Sequence, residues 1–273
     1  MNRKPGAFAL TLWTASAALA AEADAAGVER IGLDLEKLGK RERQPGAELW
    51  LSDHDESQLP AIAAVLRGAD LFVRSNPPHA EWPAEGERLL RAGAKVIMLP
   101  AFRHADEVRM ALNTIAGRAR LVPLVEMSQA IEEIQAIAAI DGLTEVHFGL
   151  NDLGLSWGLR NRFEALLHPK LESACALLRD AGIHFGIGGI GRIDDDSLPI
   201  PSDLVYARYV ALGSTAALLA RSFHRGLAPD GSALTMAVVA ARKRLAYWAG
   251  ASASALEQQR TALRAAISEQ AAA

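Results

Sequence analysis

The sequence predicts a closed (β/α)8 TIM barrel, for three reasons. Eight short apolar runs recur along about 210 of the 273 residues. They alternate with Ala- and Leu-rich segments of helical character, several of which end at glycine, a common helix stop. Strands that alternate with helices pair in parallel, because each return connection is a helix. Eight such units fit one barrel, and a six-stranded open sheet is the alternative.

The predicted strands cover residues 8–13, 30–35, 71–75, 95–100, 120–126, 145–150, 184–189 and 209–214. The first unit has a competing interpretation, because a basic start, an apolar middle and Ala18-Leu19-Ala20 imitate a secretory signal peptide. We favour a strand followed by a helix that Ser16 caps and Gly27 ends. Removing this segment would delete the first unit of the repeating pattern.

Two segments exceed a minimal barrel. Residues 36–58 are charged and contain Pro45-Gly46, which predicts a long excursion after the second strand. Residues 225–273 carry two more helical patterns and are predicted to form a C-terminal helical extension. We expect residues 1–273 to form one domain with this extension. One face of the extension is apolar, which predicts a contact in a homo-oligomer.

Composition excludes several classes of protein. The formal net charge of −3 gives no electrostatic footprint for nucleic acid or an acidic membrane. The single cysteine, Cys175, excludes an internal disulfide framework and favours a reducing, cytoplasmic location. No apolar run reaches the roughly 18 residues that a membrane helix needs.

Polar residues gather where the predicted strands end. In a (β/α)8 barrel this carboxyl rim carries the chemistry, and the opposite rim carries stability. Carboxylates and one arginine therefore converge on one rim. The residues at these ends are Asp34, Glu36, Arg74, Asn76, Glu126, Asn151, Asp152, Ser214 and Thr215.

Glu126 and Asp152 follow neighbouring strands and form a candidate metal site. Oxygen ligation by few protein donors favours Mg²⁺ or Mn²⁺, with water and substrate oxygens completing the shell. The alternative is that each acid merely caps the helix that follows it. The "GIGGIG" run at 186–191 has dinucleotide-binding spacing, but no helical pattern follows it directly, so we interpret its glycines as close packing or close approach to a ligand.

The segments "ADAAGVERIGLDLE", "VRSNPP", "VIMLPAF", "RLVPLVE" and "VHFGLNDLGLSWG" resemble the HpcH/HpaI aldolase and citrate lyase β-subunit family. The resemblance runs in order from about residue 8 to residue 223. It implies a (β/α)8 barrel and a metal-dependent class II lyase of the phosphoenolpyruvate/pyruvate superfamily. It also implies a dimer or a larger homo-oligomer, such as a trimer or hexamer.

The resemblance also implies roles for the rim residues. Glu126 and Asp152 would be the metal ligands, and Arg74 would bind the 2-oxo acid and stabilise its enolate. Asp34 and Glu36 would orient Arg74 or metal-bound water. The backbone near Gly149 would hold the pyruvate carboxylate. The predicted substrate-binding residues are thus Arg74, Gly149, Leu150 and Asn151.

Three positions depart from the family's patterns. Lys37 stands where pyruvate aldolases usually carry the catalytic histidine after Asp-x-Glu. Leu124 replaces a common glutamine, and Ala101 replaces a lysine of the citrate lyase β-like branch. We predict that His54, in the long excursion, supplies the missing catalytic base. The alternatives are His79 and a metal-bound water or hydroxide.

Three functions follow from these residues. The first is metal-dependent aldol cleavage or formation of a 4-hydroxy-2-oxo acid, whose partners are a small 2-oxo acid and an aldehyde. The second is a citrate lyase β-like enzyme acting on an acyl-CoA or a hydroxy acid. The third is a non-catalytic barrel that binds an oxo acid, which the missing histidine makes credible.

Overall fold

Eight parallel strands close into a barrel, in which the first strand pairs with both the second and the eighth. The computed structural model describes residues 8–39, 52–227 and 232–272. The predicted (β/α)8 barrel is confirmed. The strands are β1 (Ala9–Trp13), β2 (Arg30–Asp34), β3 (Asp70–Arg74), β4 (Val96–Leu99), β5 (Arg120–Val125), β6 (Glu145–Phe148), β7 (His184–Ile190) and β8 (Ala216–Leu219).

Helices cover the outside of the barrel and extend beyond it. They are α1 (Ala17–Ala25), α2 (Leu59–Val65), α3 (Trp82–Arg91), α4 (Ala105–Ile115), α5 (Ser128–Glu132), α6 (Ile134–Ala138), α7 (Leu150–Ser156), α8 (Pro169–Asp180), α9 (Ser202–Leu212), α10 (Arg221–His224), α11 (Ser232–Ala249) and α12 (Ala253–Ala272). Two 3₁₀ segments, Glu56–Gln58 and Arg162–Leu167, precede α2 and α8.

The first unit forms the strand and helix that the sequence predicts. The Ser16 side chain accepts a hydrogen bond from the Leu19 N–H at 3.3 Å and caps α1. Gly27 follows α1 with φ of +85°, a conformation that glycine adopts readily. Residues 40–51 of the predicted excursion, including Pro45-Gly46, lie outside the described residues.

The predicted eighth strand, 209–214, is wrong. Most of this segment is the last part of α9, and the strand follows at Ala216–Leu219. Tyr206, Tyr209 and Leu212 recur at helical spacing and are buried. The valine and tyrosine of the segment favoured a strand, whereas the true strand consists of alanine and leucine only. Tertiary packing here overrides local propensity.

This shift also moves two predicted rim residues. Ser214 and Thr215 precede β8 instead of ending it. Both hydroxyls donate to the Phe185 carbonyl, near the start of β7. They therefore lie at the amino rim, away from the carboxyl ends of the strands.

Alternation along the strands divides the side chains between two packing regions. A small cluster fills the barrel interior and comprises Phe72, Val96, Met98, Val122 and Leu124. The larger core lies between the sheet and the helices. Because side chains two apart in a strand share a face, Arg30 and Asp34 of β2 both point inward, at opposite ends of the barrel.

A buried ion pair occupies the amino end of the interior. Arg30 donates two hydrogen bonds to the Glu145 carboxylate, at 2.7 and 2.6 Å. Arg120 lies 3.7 Å from the same carboxylate. Burial opposes the charge of Glu145, but the hydrogen bonds and charge of Arg30 outweigh it and lower the pKa of Glu145.

The C-terminal helices pack against the chain's own barrel. The buried side chains of α11 include Leu234, Val238 and Trp248. The Trp248 indole and Arg244 both hydrogen-bond to Asp203 of α9. The opposite side of α11 exposes apolar side chains, including Met236, of which 70% is exposed. The homo-oligomer stays a prediction. Within the described part of the chain, no helix combines the length and apolar character needed to cross a membrane.

Candidate active site

A cavity of about 410 Å³ opens at the carboxyl ends of the strands. Side chains and backbone from β1, β2, β3, β5, β6, β7 and β8 and the segments that follow them line it. Eight predicted site residues line this one cavity: Asp34, Glu36, Arg74, Glu126, Gly149, Leu150, Asn151 and Asp152. The predicted base His54 does not line it, and neither does its alternative, His79.

Arg74 lies at the centre of a buried charge cluster. Asp34 and Arg74 are direct partners in the β2–β3 register. The guanidinium therefore meets the Asp34 carboxylate in a two-point contact, with N···O distances of 2.7 and 2.6 Å. Its third nitrogen lies 3.3 Å from Glu36. Burial would lower the pKa of Arg74, but the charges of Asp34, Glu36 and Glu126 outweigh it and raise that pKa.

Glu126 and Asp152 are brought to the same place by two adjacent strands. Glu126 directly follows β5, and Gly149 directly follows β6. A Cβ on Gly149 would lie 2.7 Å from a Glu126 carboxylate oxygen, so only glycine allows this approach. Asp152 follows in the first turn of α7 and is 8% exposed. The two carboxylates thus line one wall of the cavity.

Backbone geometry after β4 supports this wall. Ala101 has φ of +48°, which is uncommon for a residue with a side chain. Its N–H donates to a Glu126 carboxylate oxygen at 2.8 Å. A left-handed alanine costs about 1 kcal/mol. The left-handed conformation directs the Ala101 N–H to Glu126, and this hydrogen bond fixes the orientation of the carboxylate.

The donor set fits a hard divalent cation. Four buried carboxylates, Asp34, Glu36, Glu126 and Asp152, line the cavity beside one buried guanidinium, Arg74. Carboxylate oxygens suit Mg²⁺ or Mn²⁺, which need only one or two protein ligands when water and substrate supply the rest. Among the described residues, no three His, Cys, Asp or Glu side chains form a metal-binding group. Glu126 and Asp152 are thus candidates for a two-ligand site.

His54 lies behind Asp34 at the edge of the site. Its Nδ1 accepts the backbone N–H of Asp34 at 3.0 Å. In the neutral ring the proton therefore resides on Nε2. Burial and nearby Arg221 lower the pKa of His54 against the opposing charges of Asp34 and Asp53, so the ring is neutral at pH 7. This hydrogen bond from the Asp34 N–H to the Nδ1 lone pair holds the end of β2 in place.

Lys37, at the position of the family's usual histidine, contributes its backbone to a network between two segments. The Lys37 side chain is 55% exposed and lies 4.0 Å from Asp55. The Lys37 backbone N–H donates to the Asn76 side chain, whose amide in turn donates to buried Glu85. His79 contacts the same Glu85 carboxylate at 2.9 Å. This network ties the segment after β2 to the segment after β3.

The cavity floor contains an indole and an imidazole. The Trp13 ring lies 4.4 Å below the Arg74 guanidinium, and its buried N–H has no hydrogen-bond partner among the described residues. His147 packs so closely on Gly186 that a Cβ there would lie 2.2 Å from its Nδ1. Burial lowers the pKa of His147 to about 4, although Glu145 and the Gly188 carbonyl oppose the shift. Gly186 of the "GIGGIG" run therefore serves close packing against the floor.

Three lining arginines were missed by sequence reasoning: Arg162, Arg221 and Arg225. Arg221 and Arg225 escaped notice because the eighth strand was placed too early in the chain. The signal was present in "AALLARSFHR", where an apolar run ends in arginine, as it does at Arg74. Arg162 begins a 3₁₀ segment and carries no sequence signal.

Comparisons with known proteins agree with this architecture. The family model described as HpcH/HpaI aldolase/citrate lyase matches residues 10–191. The structure of an HpcH/HpaI aldolase/citrate lyase family protein from Burkholderia cenocepacia is similar, with a TM-score of 0.61 and 19% identity. That match covers 80% of this chain and 89% of the other, and at this identity it bears on the fold alone.

Two curated relatives are aldolases. The chain is 33% identical to the 4-hydroxy-4-methyl-2-oxoglutarate aldolase of Chaetomium globosum, with 60% of this chain and 68% of the relative covered. It is 26% identical to the hydroxypyruvate/pyruvate aldolase of Sagittula stellata, with 64% and 81% covered. Both alignments concern proteins whose names state carbon–carbon bond chemistry on oxo acids.

Proposed function

This chain belongs to the HpcH/HpaI aldolase/citrate lyase family, and we propose that it catalyses a reversible aldol cleavage. The substrate of this reaction is a 4-hydroxy-2-oxo acid, and the products are pyruvate, or a similar 2-oxo acid, and an aldehyde or ketone. The observation that carries this proposal is the juxtaposition of Glu126 and Asp152 with Arg74 in one cavity. Family membership supports an aldolase or lyase; the substrate and the metal are part of the proposal.

The reaction needs charge stabilisation at one place. The hydroxyl at C4 loses its proton, the C3–C4 bond breaks, and its electron pair forms the C2–C3 double bond of the enolate. Protonation at C3 then gives the 2-oxo acid. Negative charge develops on the oxygen at C2 while the new carbonyl leaves. A site for this reaction must therefore place fixed positive charge against that oxygen.

Arg74 supplies such a charge. Its two-point contact with Asp34, its contact with Glu36 and the Trp13 ring beneath it hold the guanidinium in one orientation. Preorganised charge stabilises a developing anion without reorganisation during the reaction. Asp34 and Glu36 act here as positioning residues, since they act through Arg74.

Glu126 and Asp152 would hold Mg²⁺ or Mn²⁺. A divalent ion supplies Lewis-acid polarisation of the 2-oxo group and a template for the substrate when it is bound. The N–H groups of Leu150 and Asn151, in the first turn of α7, have no acceptor among the described residues. They are the candidate donors to the substrate carboxylate, beside the Gly149 contact with Glu126.

Proton exchange in pyruvate tests this proposal. The protein is incubated with Mn²⁺ and pyruvate in D₂O, and the methyl signal is followed by proton NMR. We expect faster loss of that signal with protein, because enolate formation exchanges the C3 protons. Asp152→Asn is expected to abolish both this exchange and Mn²⁺ binding measured by electron paramagnetic resonance. Metal-dependent oxalate binding with no exchange would instead favour a non-catalytic barrel.

A further inference from the structure

The cavity has a basic side that the proposed reaction at the metal does not use. Arg162, Arg221 and Arg225 line it together with Ser222 and the glycines of β7. We propose that this basic side binds an anionic group, a carboxylate or a phosphate, on the carbonyl partner of the aldol reaction. This inference rests on the proposed function and specifies which class of aldehyde or ketone the site selects.

Arg162 is directed to the β7 side of the cavity. Its guanidinium carbon lies 4.8 Å over the Phe163 ring, which also lines the cavity. Its charge acts on the buried Tyr209 hydroxyl, which donates to the Gly189 carbonyl at 3.3 Å. Within the described ranges Arg162 forms no ion pair. Its charge is thus available to a ligand beside Gly188 and Gly189.

Hydrogen bonds from the segment after β7 hold the backbone that carries Arg225. Arg192, which follows β7, donates to the carbonyl of Arg225 at 3.1 Å and to that of Ser222 at 3.0 Å. It also reaches the Phe223 carbonyl. These contacts fix the backbone from which Arg225 projects. The Arg225 side chain, like that of Arg162, makes no ion pair with any described residue.

Charge balance favours an anion at this side. Among the described lining residues, four carboxylates face four arginines, so the charged side chains cancel before any ligand binds. A divalent cation at Glu126 and Asp152 would leave a surplus of two positive charges. One anionic group on the 2-oxo acid and one on its partner would neutralise that surplus. A neutral aldehyde would leave part of it uncompensated in the cavity.

The two kinds of charge occupy different parts of the rim. The buried carboxylates and Arg74 come from β2, β3, β5 and the first turn of α7. The exposed arginines come from the 3₁₀ segment before α8 and from the segment after β8. A guanidinium binds carboxylate and phosphate oxygens in a two-point contact, so either group fits.

Three aldehydes with the same two-carbon skeleton test the proposal: glycolaldehyde, glyoxylate and glycolaldehyde phosphate. The ratio of kcat/KM for each anion to that for glycolaldehyde is measured with pyruvate and Mn²⁺. We expect at least one anion to be favoured in the natural protein. We expect Arg162→Gln and Arg225→Gln each to reduce that ratio roughly tenfold, because each removes a charged hydrogen-bond donor. Arg160→Gln, an exposed arginine outside the cavity lining, is the matched control and should leave the ratio unchanged.

Equilibrium binding gives a readout that is independent of turnover. Glycolate and phosphoglycolate, which cannot react, are titrated into each protein by isothermal calorimetry. We expect weaker binding of the favoured anion in both cavity variants and the natural affinity in Arg160→Gln. A preference for glyoxylate and glycolate assigns a carboxylate, and a preference for the phosphates assigns a phosphate.

The outcomes separate the two proposals. The absence of pyruvate exchange in the natural protein would overturn the aldolase function. In that case the titrations would still test, without turnover, whether Arg162 and Arg225 bind an anion. Equal kcat/KM for all three aldehydes would overturn the inference about the basic side. So would unchanged ratios and affinities in the Arg162→Gln/Arg225→Gln double variant.

Discussion

The two ends of the barrel interior use the same residue types for different purposes. At the amino end, one carboxylate, Glu145, meets two guanidiniums, Arg30 and Arg120. At the carboxyl end, four buried carboxylates line one cavity together with one buried guanidinium, Arg74. The first cluster has no excess of acids and lies away from the cavity, and we assign it to the fold. The second has an excess of acids, which is what a cation-binding site requires.

Glu126→Gln is expected to have the largest effect. It removes a proposed metal ligand but keeps an oxygen that accepts the Ala101 N–H. We expect pyruvate exchange to fall at least about a thousandfold, because the Lewis acid is lost. We expect the free energy of unfolding to change by less than about 1 kcal/mol, or to rise, since one acid fewer crowds the cluster. Exchange by NMR and urea unfolding measure the two effects.

The comparison of the two barrel ends requires that Glu126→Gln lower pyruvate exchange while the free energy of unfolding stays nearly unchanged. A Glu126→Gln protein that loses several kcal/mol of stability would show that the carboxyl-end cluster is structural as well. In that case the difference between the two ends of the barrel would disappear.

Glu145→Gln is the same substitution at the other end. It leaves Arg30, which is 2% exposed, without its full negative partner. Removing one partner of a buried pair costs about 3–5 kcal/mol. We expect the urea midpoint to fall accordingly, while pyruvate exchange well below the melting temperature stays at the natural rate. A stable Glu145→Gln protein with impaired exchange would reverse the assignment of the two ends.

Acid should weaken the barrel through His147, which lies between the two clusters. Its pKa of about 4 in the folded protein is below the usual 6.5, so the unfolded chain takes up a proton first. The free energy of unfolding should therefore fall as the pH drops from about 6.5 to about 4, by about 3 kcal/mol in total. Urea unfolding at several pH values measures this slope.

His147→Gln is the control for that slope. Glutamine keeps a donor for the Gly188 carbonyl and does not titrate. We expect its stability to vary less than that of the natural protein between pH 6.5 and 4.5. Identical slopes in the two proteins would assign the acid sensitivity to other groups.

His54→Gln is expected to have the smallest effect. The lone pair of Nδ1 is engaged by the Asp34 N–H, so the ring positions the end of β2. We expect less than about a tenfold loss of exchange, with an unaltered pH dependence. A general base typically contributes 10²- to 10⁴-fold. A loss in that range, with the loss of a pH limb, would establish His54 as the base.

Much of the site could be predicted from the sequence, because strand ends in a barrel are a topological position. Asp34, Arg74, Glu126 and Asp152 each follow a recognisable apolar run, so their meeting at one rim follows from parallel pairing alone. The Asp34–Arg74 contact even follows from register. What the sequence withheld was the left-handed Ala101 and the Trp13 N–H, which has no acceptor in the described part of the chain, since both depend on tertiary contacts.

Two of the three arginines on the basic side, Arg221 and Arg225, were missed through one error in the placement of a strand. The valine and tyrosine of residues 209–214 favoured a strand there, whereas the alanine and leucine of "AALL" are good helix formers and gave no strand signal. With the strand at Ala216–Leu219, Arg221 follows its carboxyl end and lies at the rim. A shift of a few residues in the last unit thus conceals two of the four arginines that line the cavity.

Arg192 has a consequence for engineering this barrel. Its guanidinium joins the connection that leaves β7 to the connection that leaves β8 through three carbonyl contacts. Grafting a foreign loop at either connection would sever that link. A redesign of acceptor preference should therefore change the two connections together and keep Arg192.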